Sequence, residues 1–184
     1  TFGAMPLPLA ALATLLFCAF LALFPALTGW GVVRTARSPI VRWALLAPAL
    51  WTLSEWVRSW IFTGFPWNSI GYSQIPASPL AGFAPVLGIY GVSLVVALIA
   101  GLITVAVQRY RTRKALYAAA ASLLGFAACG YALKQIDWTT PSGTPVTVSL
   151  IQGNVAQDMK WREDQMRATL NAYAGLIAAS RAQL

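Results

Sequence analysis

The stretch LPLAALATLLFCAFLALFPAL, Leu7–Leu27, contains no charged residue. About 20 apolar residues in a helix cross the roughly 30 Å of hydrocarbon in a bilayer. This stretch, continued to residue 33, therefore predicts a membrane-spanning helix. Residues 83–107 and 115–133 are also uncharged and long enough to span, and residues 41–62 form a fourth apolar run. The chain is predicted to cross the membrane four times.

The composition of the whole chain agrees with membrane spans. Of its 184 residues, 58% are hydrophobic and 10% are charged, whereas soluble domains carry about 25% charged residues. The chain has no histidine, which excludes a Ser-His-Asp triad or a His-ligated metal within it. Cys18 and Cys129 lie in apolar runs and are predicted to be buried thiols, not a disulfide or a zinc site. No metal and no cofactor are expected.

Basic residues predict the orientation of the spans, because short cytoplasmic loops retain Lys and Arg. The loops between spans one and two and between spans three and four, together with Arg42 at the edge of span two, hold 7 of the 13 basic residues and no acid. The loop between spans two and three, residues 63–82, has no formal charge. These two basic loops are therefore predicted to be cytoplasmic, and the chain after residue 133 is predicted to lie outside.

Nucleic-acid binding is the alternative explanation of the basic excess. Residues 1–138 carry 9 basic and 2 acidic residues, a balance of +7, whereas residues 139–184 carry 4 and 3, a balance of +1. A nucleic-acid-binding domain would keep its positive charge on its water-soluble part. No nucleic-acid partner is expected.

The second apolar run differs from the others because it contains Glu55 and Arg58, together with Pro48, which favours a kink. Ionisable groups inside spans are costly and are candidates for function. Glu55 and Arg58 are three residues apart, on one helical face. One interpretation is a structural ion pair; the other is a polar patch that meets a lipid headgroup.

The uncharged loop after this run reads TGFPWNSIGYSQ over residues 63–74. Gly64 and Pro66 favour a fixed turn, and the loop presents Phe65, Trp67 and Tyr72 as large apolar surface. Such a loop either caps the helices or forms the wall of a lateral lipid entrance, which requires apolar lining with hydrogen-bonding groups at headgroup depth. Small residues four apart, the pairs Ala97–Gly101 and Ala121–Gly125, predict close helix packing.

The residues after Trp138 have a different pattern. Residues 139–145 are rich in Thr, Pro, Ser and Gly and predict a linker. Residues 146–151 predict a β-strand, ended by Gly153, which permits a tight turn or a close backbone approach. From about Arg162, apolar residues at helical spacing predict one amphipathic helix: Met166, Leu170, Tyr173 and Ile177.

The fold class predicted is an α-helical polytopic membrane protein followed by the first strand and helix of an α/β domain. Residues 1–138 form the membrane region, with spans near 7–33, 41–62, 83–107 and 115–133, and residues 139–184 begin the external domain. Because the sequence starts at Thr1 and stops inside a helical pattern, an internal piece of a longer protein is expected.

Three stretches together resemble the apolipoprotein N-acyltransferase family of the bacterial inner membrane. They are APALWTLSEWVRSWIFTGFPWNSIGYSQ (47–74), LAGFAPVLGIYGVS (80–93) and VSLIQGNVAQDMKW (148–161). The resemblance implies eight membrane helices and a periplasmic domain of the nitrilase, or carbon-nitrogen hydrolase, fold. Residues 146–151 would then be the first strand of that αββα sandwich, and the chain after residue 138 would be periplasmic.

The resemblance also implies an activity. The family transfers an acyl chain from a phospholipid such as phosphatidylethanolamine to the N-terminal α-amino group of diacylglyceryl-cysteine on an apolipoprotein. It works by a ping-pong thioester mechanism with a Cys nucleophile, a Glu base and a Lys that stabilises the oxyanion. These catalytic residues are expected downstream of Leu184, so this chain alone is expected to be inactive. A monomer is expected.

Site residues follow from the resemblance position by position. Trp161 resembles a lid tryptophan near the active site, and Gly64, Phe65 and Trp67 resemble the wall below it. Tyr72 belongs to the same loop block. Glu55, Arg58 and Gln152 match family positions without an assigned role, and all eight are candidate substrate- or lipid-binding residues. Arg162 stands where the family pattern has an acid. The rival hypothesis is a non-catalytic scaffold or transporter segment, in which Glu55 and Arg58 line a path.

Overall fold

The computed structural model describes residues 5–35, 38–109, 112–156, 159–160 and 162–181. Within these residues every regular element is helical, and the α-helices are α1 (Leu7–Thr35), α2 (Pro39–Val41), α3 (Ala47–Arg58), α4 (Ala84–Gln108), α5 (Arg113–Lys134) and α6 (Met166–Arg181). The chain divides into two compact units, Cys18–Thr140 and the pair Thr1–Phe17 with Pro141–Leu184.

Three helices are long and apolar enough to cross a membrane: Leu7–Thr35, Pro79–Gln108 and Arg113–Lys134. Three of the four predicted apolar runs lie within them. Most of their surface is exposed, as expected of helices whose apolar side chains face hydrocarbon. The chain therefore has the architecture of a polytopic membrane protein.

The predicted second span is helical but interrupted. It consists of α2, a π-helix at Arg42–Leu46, and α3, which has only 12 residues. The Ala47 amide donates to the carbonyl of Arg42, five residues back. Pro48 follows directly and has no amide hydrogen, so it cannot continue the α-helical ladder. This run is not among the three spanning helices, and a fourth span stays a prediction.

Helix α4 forms the centre of the Cys18–Thr140 unit. Its Val92 and Val95 are buried with Phe83, and Ile99, Phe126 and Leu133 are among the partly buried residues around them. Gly101 of α4 contacts the backbone of the π-helix, since a Cβ at this position would overlap the carbonyl oxygen of Trp43. The predicted close packing at Gly101 is confirmed.

Helix α5 packs through a different glycine from the one predicted. Gly125 has open space around it, so the prediction of close packing there is wrong. Instead Gly130 is buried, and a Cβ added to it would stand 2.6 Å from the carbonyl oxygen of Pro79. A Cβ on Gly82 would overlap the Gly130 carbonyl oxygen. The close approach is therefore between α5 and the 3₁₀-helix Pro79–Phe83.

The predicted burial of the two cysteines is wrong. Cys18 and Cys129 are both free and exposed. Each sits on an apolar helix of spanning length, where side chains that face away from the protein contact lipid instead of a protein core.

The predicted strand is absent. Residues 144–156 form no regular element in the part of the chain that the structure describes. A strand requires a neighbour to satisfy its backbone groups, and the described residues supply none. The opening of an α/β domain, residues 139–184, therefore stays a prediction.

The predicted amphipathic helix is present as α6, preceded by a 3₁₀-turn at Glu163–Gln165. The residues of its apolar stripe remain exposed. Tyr173 nevertheless has one close neighbour, because a Cβ on Gly153 would stand 2.5 Å from its ring. The close backbone approach predicted at Gly153 is thus confirmed.

Candidate functional site

Glu55 connects α3 to the loop that follows it. Its side chain is only 3% exposed. The Oε1 atom accepts hydrogen bonds from the Trp51 indole Nε1 and from the backbone amide of Ile70, each at 2.9 Å. Ile70 lies 15 residues further along the chain. A buried carboxylate bonded to both a helix and a loop fixes the position of the loop, because leaving either donor unpaired is costly.

The ion pair predicted between Glu55 and Arg58 does not form. Among the described residues the salt bridge observed is between Arg162 and Asp164. The Glu55 carboxylate is instead engaged by Trp51 and Ile70. Arg58 contributes to the loop through its backbone, since its carbonyl oxygen accepts from the Phe65 amide at 2.8 Å.

The turn between Arg58 and Phe65 has an unusual backbone. Phe62, Thr63 and Gly64 have φ values of 49°, 75° and 90°. Positive φ is uncommon for residues other than glycine, and such conformations cost on the order of 1–3 kcal/mol each when side chains are present. Gly64 tolerates no side chain, because a Cβ there would overlap the Ser59 carbonyl oxygen. The turn that Gly64 was predicted to set is therefore present and strained.

The second half of the loop docks on α4. The Gly71 amide donates to the Ser93 hydroxyl at 3.0 Å, and Ser93 is fully buried. A Cβ on Gly71 would stand 2.6 Å from the Ile89 carbonyl oxygen. The loop backbone at Gly71 is thus in direct contact with α4.

The anchored loop carries aromatic side chains outward. Phe62, Trp67 and Tyr72 are 81%, 65% and 52% exposed. Phe65 is partly buried and packs edge to face against Trp67, with ring centroids 6.3 Å apart. We call Phe62, Phe65, Trp67 and Tyr72 the aromatic rim.

Several polar atoms beneath the rim are buried and have no hydrogen-bond partner. They lie on α3 and at the start of the docked half of the loop: Thr52 Oγ1, Glu55 Oε2, Arg58 Nε and Ser69 Oγ. Buried polar groups of this kind are exceptions in folded proteins. The base of the loop therefore contains buried polar atoms, whereas the aromatic rim is exposed apolar surface.

Six of the eight predicted site residues lie in α3 and the loop that follows it. Glu55, Arg58, Gly64, Phe65, Trp67 and Tyr72 all lie in the Cys18–Thr140 unit. Gln152 lies in the other unit and is exposed, and Trp161 lies outside the described residues. No group of three or more potential metal ligands was found in the described part of the chain.

Sequence reasoning missed Trp51, Ser93 and Gly71 as parts of the loop anchor. Trp51 precedes Glu55 by four residues, the spacing at which helix side chains meet, so that signal was available. Ser93 is a hydroxyl inside an uncharged run of spanning length. Its pairing with a glycine amide 22 residues away has no local sequence signal.

Apolar helices of spanning length and a loop tethered by a buried carboxylate define a multi-pass membrane protein with an aromatic rim. The family model described as "Apolipoprotein N-acyltransferase N-terminal domain" matches residues 1–102, more than half of the chain. The chain belongs to this family.

Similar proteins bear the same name. The chain is 46% identical to the apolipoprotein N-acyltransferase of Nitrosomonas europaea over all of its length, and this covers 36% of that protein. It is 46% identical to the corresponding protein of Chromobacterium violaceum, with 98% of this chain and 34% of the relative covered. For Methylococcus capsulatus the identity is 45%, over 89% of this chain and 32% of the relative. The chain thus spans about a third of the relatives' length.

Proposed function

We propose that the chain is part of an acyltransferase that moves an acyl chain from a phospholipid to the N-terminal α-amino group of diacylglyceryl-cysteine on a bacterial apolipoprotein. The name of its relatives, apolipoprotein N-acyltransferase, supports the reaction. The observation that carries the role of this segment is the aromatic rim on a loop that Glu55 and Ser93 anchor.

The proposed chemistry is a double displacement. The Glu base takes the proton of a cysteine thiol, the thiolate attacks the ester carbonyl of the phospholipid and forms a thioester, and the lysophospholipid leaves with that proton on its new hydroxyl. The α-amine of the acceptor then attacks the thioester and forms the amide, while the proton of the amine returns through the Glu to the released thiolate. We assign the Cys, Glu and Lys of this mechanism to the part of the full-length protein beyond Leu184. Cys18 and Cys129 lie on apolar helices of spanning length, so neither is the proposed nucleophile.

The segment described here would form the lipid-facing wall of the reaction site. Trp67 and Tyr72 present apolar surface for acyl chains, and Phe65 supports Trp67 from behind. Glu55 is too deeply buried to meet a lipid and would act by holding Ile70 in place. Arg58 and Gly64 would shape the strained turn, and Trp161 and Gln152 would contribute from the tail.

The location follows from the same proposal. The protein would reside in the bacterial inner membrane as a monomer, with the aromatic rim and the chain after residue 138 on the periplasmic side. The basic loops support this orientation, because Lys and Arg are retained on the cytoplasmic side.

A matched pair of tryptophans tests the wall. In a protein of the relatives' length that carries this segment, Trp67→Ala is expected to lower acyl transfer by about tenfold to 100-fold, since burial of a large apolar side chain contributes about 1.5–3 kcal/mol. Trp30 is equally exposed, 66% against 65%, but lies on α1. Trp30→Ala is expected to leave transfer within about twofold. Equal activity of both variants would contradict the wall.

Two further outcomes are expected. Trp161→Ala in the same protein should lower transfer without changing the protein's stability, and normal turnover would return Trp161 to a structural role. The 184-residue chain by itself should transfer no palmitoyl group from phosphatidylethanolamine to a diacylated lipopeptide. Detectable transfer would overturn the assignment of the catalytic residues beyond Leu184.

A further inference from the structure

An apolar groove lies at the other end of α4 from the aromatic rim. It is a groove of about 360 Å³ between the π-helix, the end of α4 and the start of α5. Apolar residues form most of its lining, and Ala44 and Ala119 are buried among them. Four of the lining residues are alanines, and an apolar groove between helices can accept an acyl chain.

The lining of this groove includes two cations. Arg109 and Lys114 both line it, together with Thr112. The Thr112 amide donates a hydrogen bond to the Arg109 carbonyl oxygen, at 2.8 Å. Neither cation forms an ion pair within the described residues.

The surroundings of the groove are positively charged. Two stretches of the sequence, residues 34–42 and 109–114, hold seven basic residues and no acid: Arg34, Arg37, Arg42, Arg109, Arg111, Arg113 and Lys114. Basic pockets between membrane helices bind the headgroups of anionic lipids. Charge and shape therefore select the same kind of ligand, with a negative phosphate at one end and a hydrocarbon chain at the other.

We propose that this groove is a binding site for an anionic glycerophospholipid, with its phosphate on Arg109 and Lys114 and an acyl chain along the alanine-lined surface of the groove. Inorganic phosphate would leave the apolar walls unused, and a zwitterionic lipid would gain less from the two cations. From Ile89, which contacts the loop, to Leu102, the first residue of α4 that lines the groove, α4 rises about 20 Å. The groove is therefore separate from the rim and does not depend on the proposed acyl transfer.

Native mass spectrometry of the chain released from detergent tests the site. Phosphatidylglycerol and phosphatidylcholine with identical acyl chains would be added at equal concentration, and retained lipid would be counted. Phosphatidylglycerol is expected to bind more tightly. Arg109→Gln/Lys114→Gln is expected to weaken its binding roughly 30-fold, because each cation near a lipid headgroup contributes about fivefold.

The control removes the same charge from the same end of the helices. Arg34→Gln/Arg113→Gln changes two basic residues that do not line the groove and is expected to alter binding less than threefold. An equal loss in both double variants would mean a general field effect and would overturn the site. Lack of preference for phosphatidylglycerol would also overturn it and leave the groove to another occupant, such as a second copy of the chain.

A steric pair keeps the test independent of charge and of folding defects. Ala118→Phe fills the groove, whereas Ala120→Phe adds the same bulk to an exposed position of α5 outside it. Only Ala118→Phe is expected to reduce phosphatidylglycerol retention, with the melting temperatures of both variants unchanged. Equal retention in both variants would overturn the apolar part of the site.

Discussion

Two segments that lie outside the α-helices, residues 59–78 and residues 141–156, differ in how their backbones are held. The first follows α3, and its amides at Phe65, Ile70 and Gly71 each donate to a specific acceptor. In the second, among the described residues, Ala156 alone accepts a backbone hydrogen bond, from the Met159 amide. Both segments are apolar in part and contain Pro and Gly.

This difference shows that a segment outside the α-helices is held in place by hydrogen bonds from its amides to acceptors on neighbouring helices. Its own composition does not suffice. The loop finds Glu55 on α3 and Ser93 on α4. The tail exposes Val146, Val148 and Leu150 by 80%, 69% and 95%, which is the state of a strand sequence without partner strands. Apolar content alone thus orders neither segment.

Removal of the Glu55 side chain is expected to have the largest effect on the difference between the two segments, because it removes an anchor of the loop. Glu55→Ala leaves the Trp51 indole and the Ile70 amide without their acceptor, and we expect a loss of about 3 kcal/mol in the free energy of unfolding. Glu55→Gln keeps an acceptor oxygen in place and should lose less than half as much. Unfolding by denaturing detergent, followed by circular dichroism, measures both. Equal losses would mean that the charge of Glu55, and not its two hydrogen bonds, holds the loop.

A methyl group at Gly71 tests the second anchor. Gly71→Ala would place a Cβ 2.6 Å from the Ile89 carbonyl oxygen, and we expect a destabilisation of about 2 kcal/mol by overpacking. Gly125→Ala is the control, since nothing lies within 4 Å of that position. It should stabilise the chain slightly, by about 0.5–1 kcal/mol, because alanine is the better helix former. The same unfolding assay applies, and a neutral Gly71→Ala would show that the loop docks loosely.

The tail is expected to tolerate a substitution that a buried strand would not. Leu150→Ser in the 184-residue chain should change the unfolding free energy by less than about 0.5 kcal/mol, because the side chain is exposed. In a protein of the relatives' length, where residues 146–151 are predicted to join a sheet, the same change should cost about 2–4 kcal/mol. Hydrogen exchange at this segment provides a second measurement. Equally small effects in both proteins would contradict the prediction that residues 146–151 form a buried strand.

The smallest expected effect concerns the start of α6. Hydrogen bonds from the Arg162 guanidinium, and then from Gln165, lower the pKa of Asp164 from its ordinary value of 3.8. The stabilisation from this interaction is complete above pH 3.8 and is lost as the pH falls through the lower folded-state pKa. Carboxyl NMR titration should show the lowered pKa, and Arg162→Gln should raise it. Arg167→Gln serves as the control and should leave it unchanged.

Much of the fold is predictable from the sequence because span length and apolarity are local properties. The runs at 7–33, 83–107 and 115–133 need only their own residues to predict helices. The amphipathic spacing of Met166, Leu170, Tyr173 and Ile177 predicts α6 for the same reason. The break near Pro48 is also local, since a proline removes a backbone donor wherever it stands in a helix.

The site is less predictable, because its contacts join distant parts of the chain. Residue types pointed to Glu55, Gly64 and Trp67, but helical spacing suggested Arg58 as the partner of Glu55. The partners observed are Trp51, one turn away, and Ile70, which the strained turn at 62–64 brings back to α3. Likewise Gly125 matched a packing motif, whereas Gly130 is the residue in contact.

The sequence by itself therefore determined that this protein is built from apolar helices, where along the chain they lie, and which family it belongs to. Only the tertiary structure decided which groups the Glu55 carboxylate binds and which glycines permit close approach. It also decided that residues 146–151 stay unpaired within the described chain. The physical reason is that helix hydrogen bonds close within four residues. Loop anchors and strand ladders close across many residues, so their partners depend on how the whole chain folds.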